Sequence, residues 1–163
     1  MKIRSKLFVP RPMNPGGVLG MYSRTTTTTK GKTMASNAIT EDTAVLDVLA
    51  EVYQAWADND ADAFTSHYTT DATAVMPGTF HADRDAIHSY MAAAFAGPMK
   101  GTRAIDTPLS VRVVGNMAIV VSDSDIVAAD ASDLADARKA RATWVLVKQD
   151  DRWLITAYAN CAR

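Results

Sequence analysis

Cysteine is nearly absent from this chain, with Cys161 the only one among 163 residues. A single cysteine excludes an internal disulfide and a thiolate metal cluster, and a reducing cytoplasm is the simplest setting for it. Long apolar runs are missing as well. None approaches the roughly 18 residues that a membrane-spanning helix needs, so no membrane contact is expected. No Gly-rich phosphate loop, dinucleotide fingerprint or Ser-His-Asp order occurs, so ATP, nicotinamide and flavin find no support and no cofactor is expected. His67, His81 and His88 match no zinc spacing, and no metal is expected either. His81, just before a helix, is open to two readings: a rim acid or base, or a mere neighbour of the helix cap.

Acid is missing from one part of the chain only. Residues 1–36 carry seven Lys or Arg and no Asp or Glu, together with Pro10, Pro12, Pro15 and five threonines from Thr25 to Thr29. Their apolar stretch LFV is cut by Pro10, too short for a signal peptide. The segment is expected to be a basic disordered tail, or to follow from a start assigned too early, with Met21 or Met34 as alternatives; a transit-like or nucleic-acid-binding arm is compatible with its charge. Residues 37–163 are expected to form one domain. They hold ten bases against eighteen acids, a net charge of −8. Such a domain repels phosphate backbones, so nucleic acid is not an expected partner.

What remains is strongly patterned. Thr40 reads as a helix N-cap, followed by Val45, Val48, Leu49, Val52, Tyr53 and Trp56 at helical spacing, which predicts a helix over about 41–57. Asp60 predicts the cap of a short second helix carrying Phe64, His67 and Tyr68. Thr70 to Met76 alternates as a strand before the Pro77-Gly78 turn. Asp83 predicts a third helix with Ile87, Tyr90, Met91, Ala94 and Phe95 inward, ended by Gly97-Pro98. The period then changes to two. Ile105–Val114, Met117–Ala128, Arg138–Lys148 and Arg152–Asn160 predict an antiparallel meander, with Pro108 marking an edge or bulge and Gly115-Asn116 and Asp150-Asp151 the turns. The fold class is α+β: three N-terminal helices packed on a curved antiparallel sheet, forming a conical pocket.

The stretches VYQAWADNDADAF, HYTTDATAVMPG, FHADRDAIHSYM and RATWVLVKQDDRWLITAYAN make the chain from about 41 to 161 similar to the nuclear-transport-factor-2-like superfamily, which includes ketosteroid isomerases and SnoaL-like polyketide cyclases. The last two stretches most resemble its SgcJ/EcaC-type branch, small accessory proteins of polyketide and enediyne antibiotic clusters. The resemblance implies a deep pocket and a dimer formed through the sheet. It does not carry ketosteroid isomerisation. Where those enzymes place a proton-removing aspartate, a tyrosine and an oxyanion-hole acid, this chain has Met76, Val52 (beside Tyr53) and Thr143.

Two aspartates pose the sharpest question. In VVSDSDIV, Asp123 and Asp125 share a strand face with Ile119 and Val121, and unpaired charge on a core face is costly. If that face lines the pocket, and the loop before Arg138 folds symmetrically about Asp133, Asp125 lies opposite Arg141 and Asp123 opposite Thr143. Asp125 then stays ionised and fixes the guanidinium for a ligand oxygen. Asp123, deeper and without a cation, takes a raised pKa and acts as a general acid or base. The alternative is a solvated strand end where both carboxylates simply pair with Arg138 or Arg141.

Trp56, Tyr68, Met76, Tyr90, Met91 and Phe95 are expected either as pocket lining for an apolar ligand or as ordinary core, and Asn160 either at the pocket mouth or outward. Val120, Ile126, Trp144 and Leu146 are expected on the outer sheet face, as the surface of a homodimer. The functional expectation is a small pocket protein of secondary metabolism that binds or transforms an apolar, polyketide-derived intermediate by cofactor-free acid–base chemistry. A polyene carrier without chemistry and a dimeric scaffold are the alternatives.

Overall fold

The computed structural model describes residues 30–128 and 138–163, with side chains from Glu41 onward. Helix α1 spans Lys30–Ala57. No proline or glycine interrupts the chain from Thr33 to Ala57, so nothing stops the helix from extending back beyond Thr40. Thr40 therefore lies within α1 and does not cap it, and the boundary expected at residue 36 falls inside the helix. The expectation for the basic tail lies, up to residue 29, outside the described residues.

Val45, Leu49 and Val52 form the buried stripe of α1. Asn59, in the left-handed region at φ +56, breaks the chain before α2, Ala61–Ser66. Asp60 caps that helix by accepting a 2.9 Å hydrogen bond from the Ala63 amide. Asp83 does the same for α3, Arg84–Ala96, accepting from Ala86 at 2.8 Å. Each carboxylate satisfies an amide that a helix start leaves open.

The strands are β1 Tyr68–Met76, β2 Thr79–His81, β3 Arg103–Val114, β4 Met117–Val127, β5 Arg138–Gln149 and β6 Arg152–Ala162. They form one sheet in the order β2-β1-β6-β5-β4-β3. β3 to β6 are the expected antiparallel meander, while β1 joins β6 in parallel. The hairpin to β2, too short to show a period, was not expected. Asp150 and Asp151 both have positive φ, 47° and 60°, the geometry that lets a two-residue turn follow the twist of its strands. Pro108 sits on edge strand β3 beside a register shift, where its missing N–H costs no ladder bond.

The three helices cover one face of this sheet. Ala118 and Val120 of β4, Ala142, Trp144 and Leu146 of β5, and Trp153 and Ile155 of β6 are buried there against Val45, Leu49, Val52 and Phe64. This corrects the expected orientation of the sheet. Val120, Trp144 and Leu146 lie in the core and Ile126 at a cavity wall, none on an outer face. Ile119, Val121, Asp123 and Asp125 take the other side. A period of two fixes which residues share a face but not which face is covered. Here the covered face of β4 carries small residues, Ala118, Ser122 and Ser124, because the large side chains of Trp144, Tyr53 and Tyr158 stand over it.

Candidate functional site

Between α1, α3 and the inner sheet face lies a cavity of about 310 Å³. Most of its wall is apolar and aromatic, with Trp56, Phe64, Tyr68, Ile87, Met91 and Trp144 prominent. The helical and strand periods bring these together: Trp56 and Met91 come from facing helices, Trp144 from the sheet floor. Trp56 is held by a 2.9 Å hydrogen bond from its Nε1 to Thr102 Oγ1.

One corner of the cavity is polar. Tyr53 Oη donates to Asp106 Oδ1 at 2.9 Å and lies 2.8 Å from Ser124 Oγ, which itself donates to Asp106 Oδ1 at 3.1 Å. Two hydroxyl protons thus serve three close oxygen pairs. Ser124 can satisfy the carboxylate alone, which frees the proton of Tyr53 for another acceptor. Tyr53 and Ser124 line the cavity, whereas Asp106 stands behind them and borders a second hollow between α1 and β3, shared with Leu46, Leu49 and Pro108. Burial, and then the charge of Asp106, push the Tyr53 hydroxyl far above the ordinary phenol range. Burial likewise pushes Tyr158 up to about 12 and raises Tyr68 well above its usual value. All three phenols keep their protons at neutral pH.

Beside this corner Asn160 Nδ2 donates to Tyr158 Oη at 2.7 Å, and the tilted ring of Tyr158 lies 4.3 Å from that of Trp144. Farther along the same sheet face His81 packs on Tyr90, ring centroids 4.6 Å apart. His67 and His88 go elsewhere. His67 lies 3.5 Å from Glu51, its pKa lowered chiefly by burial, and His88 pairs with Asp62 at 2.8 Å. Among the described residues, no group of three His, Cys, Asp or Glu comes together to hold a metal ion. No helix of the described residues is long and apolar enough to cross a membrane.

Several residues singled out in the sequence do meet here: Trp56, Tyr68, Met76, Tyr90, Met91 and Asn160 line the cavity. Phe95 does not. It is buried behind the wall, edge-on to Trp56 and Phe64. Asp123, Asp125, Arg141 and Thr143 are also absent from the cavity, because they sit on the opposite face of the sheet.

The register there is two residues from the one expected, pairing Asp123 with Arg141 and Asp125 with Lys139. A shift of two keeps every side chain on its face but exchanges its partners. Arg141 grips Asp123 with Nε at 2.7 Å and a terminal nitrogen at 3.1 Å, while Arg163 bonds both Asp123 and Asp125. The hydrogen bonds from Arg141 are the main cause holding Asp123 below the usual carboxylate value of 3.8, the reverse of the raised value expected for it.

A pH effect follows. Asp123 has a depressed folded pKa, so its contribution to stability is present above the unfolded value and is lost as pH falls through the folded one. Thermal melts of the wild type and Asp123→Asn, taken from about pH 7 to about pH 2, are expected to differ most at neutral pH and to converge below about pH 4. Parallel curves would contradict the pairing.

Nothing in the sequence marked Asp106 or Ser124. Both occupy positions where a half-buried strand ordinarily carries polar residues, and only the paired strands with Tyr53 above them make a cluster. Tyr53 itself carried a weak signal, as the tyrosine next to the position that matches the isomerases.

The model of the SnoaL-like domain matches residues 45–160, most of the chain. The chain belongs to the SnoaL-like family. Solved structures agree with this SnoaL-like domain in fold, described among them as cystatin-like and nuclear-transport-factor-2-like. A protein of unknown function from Mycobacterium tuberculosis superposes with a TM-score of 0.71 at 20% identity, over 79% of this chain and 75% of its own. A nuclear-transport-factor-2-like protein from Novosphingobium aromaticivorans gives 0.69 at 17% identity, over 84% and 92%. A second protein from that organism, provisionally named a scytalone dehydratase, gives 0.65 at 14% identity, over 80% and 89%. Identities this low carry the fold alone. Comparison with curated proteins finds no match.

Proposed function

We propose that this SnoaL-like domain binds a compact, largely apolar, ring-containing molecule of the polyketide-derived class and moves a proton on it without a cofactor. The observation that carries the reading is the Tyr53–Ser124–Asp106 cluster at the wall of an otherwise apolar cavity. Tyr53 donates to a carbonyl oxygen of the ligand while Ser124 keeps Asp106 satisfied. His81 lines the cavity and its buried Nε2 has no hydrogen-bond partner, so it accepts the proton that leaves the adjacent carbon. Asp106 borders the second hollow, on the other side of the two hydroxyls. Both a donor and an acceptor are thus present for enolisation, the step common to isomerisations, dehydrations and aldol closures.

The polyketide assignment rests on the likeness of FHADRDAIHSYM and RATWVLVKQDDRWLITAYAN to the SgcJ/EcaC-type branch. Within that class, a volume at the low end for ligand pockets favours one or two rings over a long polyene or enediyne chain. That a relative carries the provisional name of a dehydratase is in keeping with acid–base chemistry in such a cavity. The same reading pairs two copies through the outer sheet face. Exposed Val75 and Phe80 of the β1–β2 hairpin, not Trp144 and Leu146, are its apolar contribution.

The test is hydrogen–deuterium exchange at the α-carbon of α-tetralone, followed by NMR in heavy water. We expect the protein to accelerate exchange about a hundredfold or more over buffer. Exchange at the buffer rate, while α-tetralone still quenches tryptophan fluorescence, would overturn the catalytic reading in favour of a carrier.

A further inference from the structure

Two buried side-chain atoms among the described residues have no hydrogen-bond partner, His81 Nε2 and Asn160 Oδ1, and both residues line the same cavity. Buried polar atoms are ordinarily paired, so two orphans at one wall point to a partner that arrives with the ligand. The amide of Asn160 is oriented by its own contact. Its nitrogen is committed to Tyr158 Oη, which leaves the buried oxygen as the unpaired end of the amide. In that contact Tyr158 is the acceptor, so the proton of its hydroxyl remains available. A hydrogen-bond donor and an acceptor therefore stand side by side, complementary to a group that both accepts and donates. A hydroxyl is the smallest such group.

The sheet register locates the rest of the ligand. His81 is paired with Ala74, and Ala74 with Tyr158, in one row across β2, β1 and β6. Two strand spacings put the backbones of His81 and Tyr158 about 10 Å apart across the sheet. The residue between them in that row is Ala74, whose methyl group lines the cavity. A flat ring fits over that methyl group with one edge toward Tyr158 and Asn160 and the other toward His81.

We propose that Asn160 and Tyr158 read one hydroxyl of a flat aromatic ligand laid on Ala74, with His81 at the opposite edge. This rests on the cavity being a small-molecule site, and it adds what that site selects. Asn160 is a specificity-determining residue and takes no part in moving the proton.

Three probes separate the contributions: naphthalene, 2-methoxynaphthalene, which can only accept, and 2-naphthol, which can also donate. Their binding is read by fluorescence titration. The expected order places 2-naphthol about tenfold tighter than 2-methoxynaphthalene, the size of one net buried hydrogen bond. Asn160→Leu is expected to bring 2-naphthol down to the methoxy compound while naphthalene binds as before. Asn160→Asp, which keeps an acceptor oxygen, is expected to retain the preference, so a folding defect in the leucine variant cannot imitate the result. Equal binding of 2-naphthol and 2-methoxynaphthalene, or a preference that survives in Asn160→Leu, overturns the inference and leaves the cavity reading intact. Failure of all three probes to bind the wild type overturns both.

Discussion

Trp144→Ala is expected to destabilise the fold by about 3–5 kcal/mol, the range for removing a large aromatic side chain from a packed interior. Trp144 is only 3% exposed. Its ring meets Tyr53 edge-on at 6.0 Å and Tyr158 at 4.3 Å, and its Nε1 donates to the buried Ser122 hydroxyl at 3.2 Å. Truncation leaves a void where three side chains met and strands the Ser122 oxygen. Thr143, the preceding residue in the same strand, is exposed on the other face. Thr143→Ala is expected to stay within about 0.5 kcal/mol of the wild type, as surface changes do. Urea unfolding of the two variants checks which side of the sheet the helices cover. The opposite outcome, a tolerant Trp144 and a sensitive Thr143, would mean that the strand faces the other way.

The second large effect belongs to the polar corner. Tyr53→Phe removes the hydroxyl that reaches both Asp106 and Ser124 and keeps the ring against Trp144. Loss of a positioned proton donor costs 10²–10⁴ in rate, so α-tetralone exchange is expected to fall about a hundredfold or more. Asp106→Asn keeps an acceptor oxygen for the two hydroxyls but removes the charge behind them, and is expected to fall by a similar factor. Binding of α-tetralone is expected to change far less in either variant, because the apolar wall is untouched. A drop in binding equal to the drop in rate would make Tyr53 an anchor and not an acid.

Much of the fold was legible in the sequence. Asp60 and Asp83 announced their helices because a carboxylate before an apolar-periodic run has one evident use at a helix start. The meander was legible because Gly115-Asn116 and Asp150-Asp151 punctuate long stretches of period two. Five of the lining residues, Trp56, Tyr68, Met76, Tyr90 and Met91, were legible for a similar reason, since large apolar side chains at core spacing must face the layer between helices and sheet.

The polar site was not legible. Tyr53, Asp106 and Ser124 are separated by 53 and 18 positions along the chain, and only strand pairing under a helix brings them together. The two aspartates of VVSDSDIV misled for a definite physical reason. Alternation sorts residues into two sets without naming the inner one, and each set on β4 holds a valine and an isoleucine, Val120 and Ile126 inside and Ile119 and Val121 outside. Once that sign is reversed the burial of Asp123 has a simple cause. Arg141 and Arg163 fold over Asp123, so a charge can be shielded from water on an outer face without being catalytic.

The most direct measurement compares Asp106→Asn with Asp123→Asn in the α-tetralone exchange experiment, under conditions where both variants are folded. Asp106 supports the cavity and Asp123 lies on the opposite face of the sheet. The predicted result is exchange lost in Asp106→Asn and kept in Asp123→Asn. Exchange kept in Asp106→Asn and lost in Asp123→Asn would contradict it and return the chemistry to the outer carboxylates.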